Sequence, residues 1–236
     1  MFYKKRIWAL EKLLYPKKSC ELNPNQNVLW LSYHIPKTAG SSLRYSFESA
    51  FKATKVFGAY ASSGAKELTN GFPVWTPNNC KVIHGHFKPQ PSHLNTFPNA
   101  RRIVWLRDPI ERIYSLVRHL LQIKGAHPQY AFLKEQYIDN NITSIDDIVY
   151  DIIVNNSSPI FTKAYSRFFS RVPVFDLEFV GSVHNYNRDI TRLSKIMGVE
   201  LKESFKNVRS KQQITSNVEI LKPYLQEEYD IVAPYI

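Results

Sequence analysis

The 236-residue sequence predicts an α/β fold built on a mostly parallel sheet. The first reason is that short apolar runs alternate with longer stretches of helical periodicity. The second is composition: 44% apolar and 22% charged residues match a globular chain with a real core and exclude a wholly disordered one. No internal repeat or low-complexity tract is present.

The chain begins Met1-Phe2-Tyr3-Lys4-Lys5-Arg6, a basic start like that of a signal peptide. Glu11 and Lys12 interrupt the apolar part, and no small-residue cleavage site follows. Read helically, Ile7, Leu10, Leu13 and Leu14 fall on one stripe, which suits an amphipathic docking helix or a basic helix resting on a membrane surface. No stretch approaches the ~20 apolar residues of a membrane helix. A complete soluble protein is expected, cytoplasmic and at most peripheral to a membrane. Residues 16–27 read as a polar linker, so the expected division is a basic helix and linker over 1–26 and a single domain over 27–236.

Val28-Leu29-Trp30-Leu31-Ser32-Tyr33 then reads as a buried strand, 34–42 as a loop, and Leu43 to about Lys52 as a helix. Residues 58–79, rich in Gly, Ser and Pro, read mostly as loop. Lys81–His84 and Arg102–Leu106 are short strands. Pro109 sits where proline is tolerated, in the first turn of a helix running to about Lys124. That helix buries Ile110, Ile113, Leu116, Val117 and Leu120. Helices follow near 130–138, 144–154 and 159–169, a strand at Glu178–Gly181, and helices near 186–197 and 215–231. Ligands of such sheets bind beyond the carboxyl ends of the strands, so the loops after residues 33, 84 and 106 are where function is sought.

Lys plus Arg total 31 against 20 Asp plus Glu, a formal charge of +11 that predicts an anionic partner. Nucleic acid, anionic lipid, a phosphorylated cofactor and an acidic polysaccharide all fit charge alone. The basic residues are scattered (Lys4, Lys5, Arg6, Lys17, Lys18, Arg101, Arg102, Arg188, Arg192, Lys195), more like a general anion funnel than a nucleic-acid surface. Cys20 and Cys80 cannot make a disulfide framework or a four-thiolate metal site, and two reduced thiols are expected.

The first loop, His34-Ile35-Pro36-Lys37-Thr38-Ala39-Gly40-Ser41-Ser42, runs from strand into helix. Free amides at a helix start and the positive end of its dipole bind phosphate or sulfate. Lys37 adds a mobile charge, Thr38, Ser41 and Ser42 add hydroxyls, and Gly40 lets an anion approach the backbone. The plainer alternative is an ordinary turn with Ser41 as N-cap. With one glycine, and its lysine before it, the loop is not the nucleotide-triphosphate motif. The third loop, Leu106-Arg107-Asp108-Pro109-Ile110-Glu111-Arg112-Ile113-Tyr114-Ser115, again runs from strand into helix. Arg107 can grip a phosphate with its planar fork, Asp108 can cap the helix and hold an arginine, and Arg112 shares a face with Ser115. The alternative is a structural Arg107–Asp108 pair and a surface hydroxyl.

Together, these two loops closely resemble the sulfotransferases of the heparan-sulfate 2-O-sulfotransferase type, over about residues 28–215. The resemblance implies a three-layer α/β/α fold like that of P-loop nucleotide kinases. It also implies transfer of a sulfuryl group from 3′-phosphoadenosine 5′-phosphosulfate (PAPS), with 3′-phosphoadenosine 5′-phosphate (PAP) as product. By this similarity Lys37, Thr38, Ala39, Gly40, Ser41 and Ser42 hold the 5′ end, and Arg107 and Ser115 hold the 3′-phosphate. Val82-Ile83-His84-Gly85-His86-Phe87 resembles the family's His-Gly-His segment, which makes His86 the base and His84 its supporter. A neutral imidazole suits the removal of a proton from an attacking alcohol near neutral pH. A metal pair is the alternative, but no convincing third ligand is nearby, and no metal is expected.

Phe179-Val180-Gly181 resembles a family segment followed by a glutamate, where this chain has His184. Arg209 and Ser210 fall where the family closes a basic loop over the nucleotide. The expected acceptor is a hydroxyl on an oligo- or polysaccharide, and Tyr60, Phe72, Trp75 and Phe87 could stack on sugars or belong to the core. A small-molecule kinase of the same fold and a non-enzymatic anion- or nucleic-acid-binding protein are the competing functions.

Overall fold

The computed structural model describes residues 2–14, 25–125, 127–202 and 218–236. The chain divides into two compact units, one over Met1–Leu106 and Phe168–Val208, the other over Arg107–Arg167 and Arg209–Ile236.

The first unit holds the sheet. Strands β1 (Trp30–Tyr33), β2 (Val56–Ala59), β3 (Val82–Gly85), β4 (Arg101–Leu106) and β5 (Phe179–Ser182) lie in the order β2-β3-β1-β4-β5, every pair parallel. Its helices are α1 (Phe2–Leu14), α2 (Gly40–Phe51), α3 (Ala65–Thr69), α4 (His93–Thr96) and α10 (Tyr186–Met197). In the central strand β1 every residue is buried, as a parallel strand covered on both faces must be. Alternation sends Trp30 and Ser32 to one face and Leu31 and Tyr33 to the other. On the first face Trp30, Val82, Ile103, Trp105 and Phe179 pack with Leu43 and Phe47 of α2 and Ile190 and Leu193 of α10. On the second, the Tyr33 hydroxyl shares a hydrogen bond of 3.1 Å with His93 of α4, and its ring meets Phe87 and Phe168. Helices therefore cover both faces, and the layered, parallel α/β fold expected from the sequence is the one formed.

Strand β2 and helices α3 and α4 go beyond the sequence reading. Strand β2 ends in Gly58 and Ala59, weak strand formers, but pairing with β3 from Val56↔Val82 to Ala59↔Gly85 holds it in place. Helix α3 interrupts the stretch read as loop. At the other edge, a Cβ on Gly181 would come within 2.6 Å of the Trp105 indole, so only glycine fits. The buried Asp189 of α10 accepts from the Ser182 amide at 2.9 Å and pairs with Arg188 and Arg192, each at 3.0 Å.

Helix α1 docks by one side. The Trp8 ring lies 5.6 Å from Phe57, its Nε1 donates to the Thr54 carbonyl, and Glu11 accepts from the Asn78 amide at 2.6 Å. Ile7, Leu10, Leu13 and Leu14 are exposed, so the predicted stripe is not the docking face. No described helix is long and apolar enough to cross a membrane.

The second unit is helical: α5 (Pro109–Ile123), α6 (Pro128–Gln136), α7 (Ile145–Val154), α8 (Pro159–Thr162), α9 (Ala164–Phe168), α11 (Val218–Leu221) and α12 (Gln226–Val232), with Phe168 counted in the first unit. Pro109 opens α5, and the Asp108 carboxylate caps it by accepting from the Glu111 amide at 3.0 Å. Its predicted buried residues Ile110, Ile113, Leu116, Val117 and Leu120 pack against Ile148, Val149, Ile152 and Ile153 of α7. Among the described residues, Asp108 does not hold an arginine. Its second oxygen accepts from the Tyr229 hydroxyl at 2.7 Å, and Arg107 pairs with Glu111 instead.

Candidate anion-binding and histidine site

The β1–β3 register sets the geometry of the first loop. Tyr33 pairs with Gly85, and the His34 amide extends the ladder by donating to the Gly85 carbonyl at 2.8 Å. The chain then turns sharply. The Thr38 amide and hydroxyl both donate to the Ile35 carbonyl, at 3.3 and 2.9 Å, so Thr38 braces the turn. Lys37 and Ala39 sit at φ 74° and 66°, a left-handed region that costs a non-glycine residue of order 1–3 kcal/mol. Helix α2 starts at Gly40, three residues earlier than the sequence suggests, and its N-cap is Ala39, not Ser41. Ala39 offers no side-chain cap, so the amides of Gly40, Ser41 and Ser42 head the helix without one. Ser41 is exposed, Ser42 and Gly40 are buried, and Lys37 is half-buried.

Gly40 is also required for a steric reason. A Cβ there would lie 1.9 Å from Nε2 of His34. That imidazole stacks on His84 with centroids 5.2 Å apart and tilts against His86 at 4.4 Å. Tyr60 meets His86 edge-on at 4.9 Å, and the Arg44 guanidinium lies 5.5 Å from the Tyr60 ring centre. Nδ1 of His84 shares a 2.9 Å hydrogen bond with Ser32, its register partner on β1. His34 thus stands between the two histidines singled out in the sequence, and sequence reasoning missed it. The available signal was its place as the residue directly after a strand and at the mouth of the anion loop.

All three imidazoles are held neutral. Burial, then the nearby Arg44 and His86, lowers the His84 pKa to about 3. Burial lowers His34 well below the usual histidine value, with His84, His86 and Lys37 adding to it. His86 is partly exposed, yet the protein packed against its ring lowers its pKa as well, through burial. A neutral, partly exposed imidazole can accept a proton. Among the described residues, no group of three His, Cys, Asp or Glu is arranged to hold a metal ion.

Buried histidines make the fold acid-sensitive. His93, bonded to the Leu68 carbonyl at 2.9 Å, has its pKa lowered to about 4, chiefly by burial. In the unfolded chain both His84 and His93 would take a proton near pH 6.5, so between there and about 4 the unfolded chain holds more protons. Stability is therefore complete above pH 6.5 and declines as pH falls, by up to about 1.4 kcal/mol per unit for each imidazole. Urea midpoints measured from neutral to mildly acidic pH should drop steadily, and a flat profile would contradict neutral burial.

In the second unit, Arg107 Nε pairs with Glu111 at 3.0 Å, and the Tyr165 hydroxyl donates to the Arg107 carbonyl at 2.6 Å. Arg107, Glu111 and Ser115 follow at spacings of four, and Arg107 and Ser115 are half-buried. Arg112 is buried instead, donating to the Phe161 carbonyl. His184 is exposed, and its amide donates to the Ser182 hydroxyl at 3.1 Å. Arg209, Ser210 and Cys20 lie outside the described residues. Cys80 is buried, with its thiol on the Val82 carbonyl. Of the four aromatics, Phe87 is core, Trp75 packs on Phe57, Phe72 is exposed, and Tyr60 alone of them borders His86.

No family model matches the chain, and no curated protein matches it. Among solved structures, it is similar to the crystal structure of a sulfotransferase from Alicyclobacillus acidocaldarius, at 11% identity over 90% of this chain and 95% of that one, with a TM-score of 0.45. A likeness that shallow assigns no residue a role.

Proposed function

We propose that this protein is a sulfotransferase that moves a sulfuryl group from PAPS to an acceptor hydroxyl, on an oligo- or polysaccharide. One observation carries the reading: within one unit, an uncapped helix start bearing Lys37 follows His34, whose ring lies 4.4 Å from the neutral His86. An anionic donor fits these residues. Ala39 leaves the helix amides without a side-chain cap, and the buried Nδ1 of His34 has no hydrogen-bond partner among the described residues.

The donor supplies the transferable group: the acceptor oxygen bonds to sulfur, the bond from sulfur to the 5′-phosphate oxygen breaks, and PAP leaves. His86 takes the acceptor's proton, a role worth about 10²–10⁴-fold. Lys37 and the amides of Gly40, Ser41 and Ser42 hold the oxygens on which charge grows, where one well-placed donor is worth about 3–4 kcal/mol. His84, tied to Ser32, fixes the His34 ring, which in turn steadies His86. Arg107 and Ser115 hold the 3′-phosphate, and Arg209 and Ser210 contact the nucleotide. Lys37 and Arg107 supply the neutralising cations, so the reading needs no metal. Tyr60, beside His86, is the aromatic available to an incoming sugar ring.

Arg107→Ala is expected to weaken PAP binding by about 10–100-fold, the loss of a charge-assisted contact. Adenosine 5′-phosphosulfate, which lacks the 3′-phosphate, should bind both proteins alike. An unchanged affinity for PAP would remove this assignment. The reading as a whole is tested by transfer of labelled sulfuryl from PAPS to polysaccharides, oligosaccharides, lipids and small alcohols, with labelled ATP as a control donor. Label on a carbohydrate supports it. Transfer from ATP alone, or to no acceptor, would overturn it in favour of a kinase or a binding protein.

A further inference from the structure

We propose that α1 rests on an anionic bilayer surface through its outward apolar stripe, independently of the transfer reaction. The helix presents two sides. Trp8 and Glu11, three residues apart, engage Phe57, Thr54 and Asn78. The other side carries Ile7, Leu10, Leu13 and Leu14, exposed by 36%, 60%, 77% and 63%. Ile7, next to the docked side, is the least exposed of them. Because Trp8 and Glu11 already attach the helix, the four aliphatic side chains are not needed to hold it in place.

Charge identifies what covers them. Residues 1–18 contain Lys4, Lys5, Arg6, Lys12, Lys17 and Lys18 and a single acid, Glu11, which accepts from the Asn78 amide. Arg6 and Lys12 are exposed on the helix itself. An acidic glycan would answer the charge but offer nothing to the leucines. A second copy of this chain would answer the leucines but set one basic segment against another. An anionic membrane answers both, taking the apolar side chains among its acyl chains and the cations at its headgroups. The exposed Ile7, Leu10, Leu13 and Leu14 share one side of α1, which suits a helix lying along the surface.

The test is co-sedimentation of the full chain with vesicles of phosphatidylcholine alone or with phosphatidylserine added. The protein should pellet with the serine-containing vesicles, stay in solution with phosphatidylcholine alone, and be released by salt. Leu10→Glu combined with Leu13→Glu should weaken this partitioning at least about tenfold, with the thermal midpoint unchanged. Should that variant misfold, Arg6→Glu with Lys12→Glu instead removes exposed positive charge from the same helix, and should also abolish pelleting. Failure of the intact protein to bind serine-containing vesicles would overturn the proposal. So would equal binding by both variants, or a dimer in sedimentation velocity that Leu10→Glu and Leu13→Glu dissociate while vesicles are ignored. None of these outcomes depends on sulfotransferase activity.

Discussion

His86→Ala is expected to lower kcat by about 10²–10⁴-fold while leaving PAP affinity within about twofold. The backbone bond at this position, from the His86 amide to the Ala59 carbonyl at 2.9 Å, survives the substitution, and His86 is only partly covered, by the His34 and Tyr60 rings. Stability should therefore change little, which separates a chemical loss from a folding loss. The pH dependence adds a second signature. Burial holds the His86 pKa below the ordinary histidine value, so the acid limb of kcat should lie below pH 6.5. In His86→Ala that limb should vanish, and added imidazole should restore part of the rate. Normal turnover by His86→Ala would contradict its role as base.

Gly85→Ala is expected to be the most damaging single substitution for the fold. A Cβ there would lie 1.7 Å from the Ala59 carbonyl oxygen and 2.4 Å from its carbon, both backbone atoms of β2. No side-chain rotation relieves such a clash. Strands β2 and β3 would have to part, taking with them the hydrogen bond that sets His86. We expect a loss of about 4–5 kcal/mol, against a typical total of about 5–15 kcal/mol, seen as a collapse of the urea midpoint or as insoluble protein. Gly198→Ala is the control. Its Cβ meets nothing within 4 Å, and only the left-handed backbone at φ 66° opposes it, at about 1–2 kcal/mol. Equal midpoints for the two variants would contradict the placement of β2. Gly40→Ala falls between them, because its obstacle is the His34 ring, a side chain that can swing away at the expense of the histidine cluster.

What could be read from the sequence was whatever a local pattern encodes. Continuous apolar runs at β1, β3 and β4 announced buried parallel strands, and Asp108-Pro109 announced the start of α5. Strand β2 escaped because Gly58 and Ala59 carry little strand preference of their own, and its identity comes from pairing with β3. A second requirement for glycine at position 40 escaped for the same reason. Its lost Cβ makes room for His34, a neighbour that only the folded turn brings close. His34 itself becomes part of the site through the register that sets Tyr33 opposite Gly85, and residue types alone do not reveal register. Likewise the partner of Arg107 proved to be Glu111, one helical turn on, and not the adjacent Asp108. The leucines of α1 were correctly placed on one stripe, but not which side of the helix would meet protein.

Titration calorimetry with PAP addresses the central assignment without knowledge of the acceptor. The chain should bind one molecule of PAP, more weakly at high salt, with affinity reduced in Lys37→Ala and Arg107→Ala and preserved in His86→Ala. No heat of binding at any concentration of PAP, or binding that neither cation substitution weakens, would contradict it.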